Sequence, residues 1–380
     1  MMVEEKTVET FQSMISSNYV NHWSVYDALR EIWQNAIDEQ ERSGKEYTYD
    51  YVPLEKKLWI SNPESRISLN SLILGESSKS DSRYIGQFGE GFKLGLIVLL
   101  RQGYEVSITN GTEIWYPSFE YNARFESNLL TVRVEYGDEQ SYDGVRFEIA
   151  GISEEILDAY ESFNLHVRED YKEEAIESST GELLLEAELS GKVFVGGLYI
   201  ASFEDLKYGY NFNAGVIPVD RDRQRLSGFE LRHAAAKLVS HIYERESREK
   251  YIKELLSDED AEDGTYLHLF VNDKELIDKV WEEFTEKYGQ AIPTYYVGDR
   301  ENLQKKYKNV NVVNVPQPLA DVLQNSTQYS ERLNALERRE EDTPAIRLQK
   351  WYEQNIDLFP EALRVSFFRD IVDQSKAWRF

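Results

Sequence analysis

Ile85-Gly86-Gln87-Phe88-Gly89-Glu90-Gly91-Phe92-Lys93-Leu94-Gly95 is the stretch on which the reading of this chain turns. Its three glycines, spaced G-x-x-G-x-G, run straight into the apolar residues Leu94 to Leu100. That predicts a tight backbone loop delivering the chain into a buried helix. Glycine serves where the backbone takes φ > 0 or approaches a ligand closely. The first turn of a helix presents unpaired N–H groups and a partial positive charge, which suit phosphate oxygens. Glycine-rich loops before helices are also common as plain structure, so the spacing alone leaves both readings open.

Upstream, Ala28-Leu29-Arg30-Glu31-Ile32-Trp33-Gln34-Asn35-Ala36-Ile37-Asp38 has helical spacing, with Val25, Leu29, Ile32 and Ala36 along one side. Glu31, Asn35 and Asp38 stand at i, i+4 and i+7 and form one polar stripe. The stripe is either the solvated face of an amphipathic helix or a chemical surface. In the second case a carboxylate polarises a water, an amide oxygen binds a hard cation, and a second carboxylate binds an amine.

Together the two motifs resemble the ATP-binding module shared by type II topoisomerases, heat-shock chaperones, histidine kinases and MutL, the GHKL superfamily. The pieces Leu29-Arg30-Glu31…Asn35-Ala36-x-Asp38 and Ile85-Gly86-Gln87-Phe88-Gly89-x-Gly91-Phe92 look closest to the heat-shock chaperone branch. The resemblance covers about residues 20–150. It implies an α+β fold whose N-terminal part is an α/β sandwich, an antiparallel or mixed sheet with helices on one face. It also implies ATP and Mg²⁺ as ligands, with Glu31 as the water-activating base and Asn35 as the metal ligand. Asp38, Gly86, Gln87, Phe88, Gly89, Glu90, Gly91, Phe92 and Lys93 then belong to the nucleotide site. The stretch from Leu72 to Tyr84, polar after Gly75, reads as a lid whose cations are Lys79 and Arg83, or as an ordinary surface loop.

Two departures from the family pattern are visible. Ile60-Ser61-Asn62-Pro63-Glu64-Ser65 falls where the family places an aspartate that accepts from the adenine amino group, and here Asn62 or Ser61 stands in its place. An asparagine carbonyl accepts, but its amide also donates. Looser base discrimination is expected, with Asp38 and Asp81 as substitute readers. Gly144-Val145 stands where the family carries a Gly-Thr pair.

The surrounding chain sets further bounds. Its 380 residues suggest two or three domains, and 41% hydrophobic residues suffice for substantial cores. With no cysteine there is no disulfide, thiolate metal site or thiol catalysis. Residues 1–24 lack a signal-peptide core, and no apolar run approaches the ~18–20 residues needed to span a bilayer, so a cytoplasmic protein is expected. A formal net charge of −26 disfavours general nucleic-acid binding, though not a local basic groove. The five histidines show no metal spacing, and His22 lacks the context of a phosphoacceptor.

Residues 1–23 read as a short helical arm with Phe11, Met14 and Ile15 on one side. Tyr47–Val52 and Lys57–Ser61 alternate as paired strands, and Tyr104–Thr109, Glu113–Tyr116, Leu129–Tyr136 and Val145–Ile149 follow, with Asn110-Gly111 as a hairpin signal. Ser153 to Phe163 reads as a helix capped by Ser153. Glu182–Leu189 and Lys192–Ile200 read as strands joined at Gly191, and Tyr208-Gly209-Tyr210-Asn211-Phe212 as packing aromatics rather than a base-stacking platform. The loop carrying Arg221, Arg223 and Arg225 precedes a helix from Phe229 to Arg248. These arginines either form surface ion pairs with Asp220 and Asp222, or one of them reaches a γ-phosphate, where guanidinium geometry suits the task.

Ser257 to Gly264 reads as an acidic linker. A smaller α/β pattern follows: strand Tyr266–Val271, helix Lys274–Tyr288, strand Thr294–Val297, helix Arg300–Tyr307 and strand Val310–Val315, then a helical tail from Ala320. Three domains are therefore expected. They are 1–155, a GHKL-like ATP-binding domain; 156–256, a transducer-like α/β domain; and 264–380, an α/β-to-helical region. Two functions compete. One is a Mg²⁺-dependent ATPase working as a nucleotide-gated conformational or dimerisation switch on a protein partner or client, with an ATP-dependent homodimer as one form. The other is a non-catalytic acidic interaction protein, an inhibitor or decoy, that keeps the fold.

Overall fold

The computed structural model describes residues 8–72, 91–137, 142–168, 170–218, 227–307, 310–341, 344–358 and 360. The chain divides into two compact units, Met1–Ala234 and Ala235–Phe380. The fold is α+β.

The first unit starts with β1 (Val8–Ser16), α1 (Val25–Ser43), β2 (Thr48–Val52) and β3 (Lys57–Pro63). It continues through α2 (Gly91–Arg101), β4 (Glu105–Gly111), β5 (Glu113–Asn122), β6 (Ser127–Tyr136), β7 (Tyr142–Ala150) and α3 (Glu154–Glu161). Among the described residues the strands form a seven-stranded sheet ordered β1-β6-β5-β4-β7-β3-β2. Every pairing in it is antiparallel, so of the two expected forms, antiparallel or mixed, the sheet takes the first. The reason is local: β2–β3, β4–β5 and β5–β6 are joined by short turns, which only antiparallel neighbours allow. Asn110-Gly111 closes the β4–β5 hairpin, with Asn110 opposite Glu113.

The residues expected as a helical arm instead form β1, an edge strand pairing with β6 from Val8↔Glu135 to Ser16↔Leu129. Phe11 and Ile15 fit a helical spacing of four, but they also share one face of a strand, and there they join the core. One face of the sheet is apolar. Leu58 and Ile60 lie opposite Ile149 and Phe147, which in turn oppose Val106 and Ile108. Helices α1 and α2 pack on each other and reach the sheet through β3, β4 and β5. Helix α2 is buried along nearly its whole length, as its unbroken apolar run requires. Arg101 at its end donates to the carbonyls of Ser17 (3.1 Å), Tyr19 (2.9 Å) and Val20 (3.0 Å), tying the turn before α1 to α2. Ser153 caps α3 as expected.

A second sheet follows in the same unit: β8 (Ala175–Ser178), β9 (Gly181–Leu184), β10 (Lys192–Val195), β11 (Leu198–Ser202) and β12 (Gly209–Phe212). Its order is β11-β10-β12-β9-β8, with β10 and β12 parallel. The strands expected to meet at Gly191 are thus separated by β12, and the first of them stops at Leu184. Tyr210 and Phe212 on the central strand are fully buried and stack at 5.7 Å, so the aromatic stretch is packing.

The helix expected from Phe229 to Arg248 is two, α4 (Gly228–Ser240) and α5 (Arg245–Leu256), the second capped by the Glu244 carboxylate. The second unit begins within α4. It adds α6 (Lys274–Tyr288), β13 (Ile292–Thr294), α7 (Val297–Lys306), β14 (Val312–Asn314), α8 (Gln317–Gln324), α9 (Thr327–Glu341) and α10 (Pro344–Gln354). Ser257 to Gly264 is not a tether. Ala261 and Asp263 are buried, and Gly264 lies so close to Leu255 and Pro318 that a Cβ there would meet both within 3.3 Å. The expected strand at Tyr266–Val271 is a 3-10 turn, Leu267–Leu269. Helix α6 buries Leu276, Val280, Trp281 and Phe284. Arg332 lies 4.4 Å over Trp281 and donates to the Ala291 carbonyl at 2.9 Å. Ion pairs at the surface link α5 to α6: Arg245 to Glu275, Lys279 to Glu249, and Lys253 to Glu283.

Candidate functional site

The sequence builds α1 firmly. Asp27 Oδ2 accepts from the Ser24 backbone N–H at 2.8 Å, and Gly44, at φ 71°, ends the helix by donating to the Gln40 carbonyl. On this frame the polar stripe is not a solvated face. Glu31 is 4% exposed and Asp38 0%, while Asn35 is half-buried. A buried carboxylate costs free energy unless it is matched inside the protein, so these positions do more than complete an amphipathic pattern.

The start of α2 comes to this stripe. A Cβ placed on Gly91 would overlap Glu31 Oε2 and lie 3.7 Å from Asn35 Nδ2. One turn on, a Cβ at Gly95 would stand 3.1 Å from the Ala28 carbonyl and 3.6 Å from Glu31 Cβ. The last glycine of the G-x-x-G-x-G motif therefore lies directly against the glutamate and asparagine of the upstream motif. Close approach, rather than a special backbone angle, is what requires glycine at 91 and 95.

Within the stripe, Asn35 Nδ2 donates to the Glu31 backbone carbonyl at 2.6 Å. That fixes the amide and makes Oδ1 its acceptor atom, the atom a Mg²⁺ ion takes. Arg30, buried beside Glu31, brings Nη2 within 3.5 Å of Glu31 Oε1 and Nη1 within 3.1 Å of Asp27 Oδ1. Reasoning from sequence misses Arg30. The available signal is Asp27-x-x-Arg30, an i,i+3 ion pair whose cation stands next to the candidate base.

Asn62 donates through Nδ2 to the Ala36 carbonyl of α1 at 2.9 Å. That bond holds the amide, since a flip would set Oδ1 against a carbonyl oxygen. Its other polar atom, Oδ1, is an acceptor. Ser61, the other candidate, accepts from Arg146 Nε at 3.0 Å, and Arg146 in turn stacks 4.3 Å over Tyr142. Val145 is the direct cross-strand partner of both Asn62 and Asn110. The two departures from the family pattern are thus one place.

Phe92 packs edge-on against Phe147 at 6.3 Å, in the core. Lys93 is 0% exposed. A phosphate contact by Lys93 requires phosphate to enter that enclosure or the amine to leave it. Lys79, Gly86, Gln87, Phe88, Gly89 and Glu90 lie outside the described residues, as do Asp81, Arg83, Arg221, Arg223 and Arg225.

Among the described residues no three histidine, aspartate or glutamate side chains gather as a metal-binding cluster. Mg²⁺ commonly takes one or two protein oxygens and completes its shell with phosphates and water, so the single Asn35 Oδ1 fits that ion in the company of a nucleotide. No helix among the described residues is long and apolar enough to cross a membrane.

No family model matches the chain. A Mycoplasma pneumoniae protein described as uncharacterized is 26% identical over 197 residues, which is 50% of this chain and 78% of that relative.

Proposed function

We propose that this protein is a GHKL-type ATPase: a cytoplasmic, Mg²⁺-dependent ATP-binding and hydrolysing switch, chaperone-like in its motifs, whose closure or dimerisation acts on a protein partner or client. The observation that carries the reading is the meeting of Gly91 with Glu31 and Asn35. Two motifs far apart in the chain resemble one nucleotide site, and their members lie in contact. Glu31 would orient a water and take its proton, with Arg30 fixing the carboxylate. Asn35 Oδ1 would hold Mg²⁺, which when bound neutralises charge on the phosphates. The backbone N–H groups from Gly86 to Gly91 would hold the phosphate oxygens. Asn62 Oδ1 would accept from the adenine amino group.

The test is turnover of ATP by the purified full chain. Glu31→Ala should lower it by ~10²–10⁴-fold, the usual range for a lost general base, while Mg²⁺-ATP binding persists. A wild type that turns over no ATP, or a variant that matches it, defeats the assignment. One observation favours the rival reading of a non-catalytic interaction protein: the cross-strand pair Asn62 and Val145 replaces two polar family positions at once. That reading expects nucleotide binding without hydrolysis, or no binding at all.

A further inference from the structure

A cleft of about 950 Å³ opens in the second unit between α6 and α9, with the chain that leads into β13 and β14 along its floor. Each wall is one face of a helix. Asp278, Glu282 and Glu286 recur at i, i+4 and i+8 on α6, a row about 12 Å long at the helical rise, and Glu331 stands on the α9 wall. Arg332 is the one cation lining the cleft among the described residues, so the lining carries a net −3.

The neighbouring stripe of α6 shows what an answered row looks like. There Glu275 pairs with Arg245 at 2.6 Å, Lys279 with Glu249 at 2.8 Å and Glu283 with Lys253 at 2.6 Å, each partner coming from α5. Of the four cleft carboxylates none forms an ion pair among the described residues. Asp278 accepts one hydrogen bond, from Gln328 across the cleft. Arg332 is turned to the floor instead. It lies 4.4 Å over Trp281, gives Nη1 to the carbonyls of Gly289 at 3.2 Å and Ala291 at 2.9 Å, and gives Nη2 to the Thr285 hydroxyl. Like charges four residues apart on a helix repel each other, and a cation held between the walls would relieve this row. The apolar Ala335, Leu336 and Val310 share the lining with the carboxylates. Lysine and arginine lay their methylene stems on such surface while the charged head reaches past it. The volume, at the upper end of the range for small-ligand sites, is more than one such head needs.

We propose that this cleft docks a lysine- or arginine-bearing segment of a protein partner, its cations meeting Asp278, Glu282 and Glu286 on one wall and Glu331 on the other. The nucleotide reading concerns the first unit, and the docking site does not depend on it.

The probe is a fluorescein-labelled, amidated peptide of four Ala-Ala-Ala-Lys repeats, titrated with the full chain by fluorescence anisotropy at about 0.15 M salt. Binding should saturate. Glu282, Glu286 and Glu331 are exposed, and changing all three to glutamine should weaken it ~10-fold or more. A control chain with Glu246→Gln, Glu259→Gln and Asp260→Asn loses the same charge from exposed positions of the same unit and should stay within ~2-fold of wild type. Ala335→Trp, at an exposed position, fills the cleft at constant charge and should weaken binding as the first triple does. If the first triple melts early, Ala335→Trp decides. Absence of saturable binding overturns the proposal, as do equal losses in the two triples or wild-type binding by Ala335→Trp. Spermidine displacing the peptide at lower concentrations than the unlabelled peptide does would give the cleft to a polyamine. Sedimentation showing a dimer that only the first triple dissolves would give it to a second copy. Either result also overturns the proposal.

Discussion

The carboxylates of α1 and those of α5 and α6 are the same side chains in opposite surroundings. Glu31 and Asp38 are enclosed in the first unit, with Lys93 buried on the neighbouring helix. Glu249, Glu275 and Glu283 stand at the surface of the second, laid against Arg245, Lys253 and Lys279. Exposed pairs of the second kind contribute little, because water and salt screen them and long side chains lose freedom in holding them. Charges of the first kind cost stability unless they are matched. The difference teaches how each set is answered: the surface carboxylates by screened cations, the buried ones by groups enclosed with them, Arg30 beside Glu31 among them. It is at the second set that the glycine motif arrives.

The sharpest way to break this contrast is to alter α2 at two glycines one turn apart. Gly91→Ala sets a methyl on the Glu31 carboxylate and should lower ATP turnover ~10²-fold, the scale on which small misplacement of a catalytic group is felt. Gly95→Val crowds the Ala28 carbonyl and Ile32 instead, and overpacking of that kind costs about 1–3 kcal/mol in urea unfolding. Turnover at Gly91→Ala equal to wild type would make the contact with Glu31 mere packing. A Gly95→Val chain as stable as wild type would show that α1 and α2 separate easily.

Next in size is the choice of base. Because Asn62 Nδ2 is committed to the Ala36 carbonyl, Oδ1 would be the reading atom on the proposed function, and it should repel the guanine O6. In competition for the proposed site ATP should win over GTP by ~10-fold or more, the scale set by one well-placed hydrogen-bond mismatch. Equal competition would mean that the amide turns despite its bond, or that the base is read elsewhere.

Much of the fold is legible in the amino-acid sequence, and the rest is hidden for identifiable reasons. Helix α6 is expected over Lys274–Tyr288 and lies there, because Asp273 caps it, Gly289 ends it and its apolar residues keep one spacing. The β4–β5 hairpin announces itself through Asn110-Gly111. Local signals of this kind are written in neighbouring residues. The edge strand β1 is not legible, since Phe11 and Ile15 satisfy helix and strand periods alike and only the partner β6 chooses between them. The parallel pairing of β10 with β12 is equally non-local. At the site, the stripe on α1 can be read from spacing. Its burial cannot, because a polar stripe looks the same facing water or facing Gly91. The orientation of the Asn62 amide depends on a carbonyl of another element, which the sequence does not display.

The smallest effect tests the contrast through acid–base linkage. Glu161 on α3 is half-buried, and burial raises its carboxyl above the ordinary range, with the Tyr49 hydroxyl beside it only partly offsetting this. Tyr49 is itself pushed up to about 12, chiefly by burial and then by Glu161. In the second unit Glu249 moves the other way, held below the ordinary range by Lys279 and Arg245. A raised folded-state pKa gives stability that is present in acid and lost as pH climbs through it; a lowered one gives stability present near neutrality and lost as pH falls through it. Glutamine imitates the protonated form in both places. Glu161→Gln should therefore raise the melting temperature near pH 7, and Glu249→Gln should lower it, each by about 1–2 °C, with both differences shrinking as the pH drops below about 4. Added salt should shrink the Glu249 difference further, because that carboxylate is answered by screened surface cations, and should leave the Glu161 difference standing, because burial is its cause. Shifts of the same sign in the two variants would mean that the two units handle their carboxylates alike, and the case for the buried stripe as a functional surface would rest on Gly91 alone.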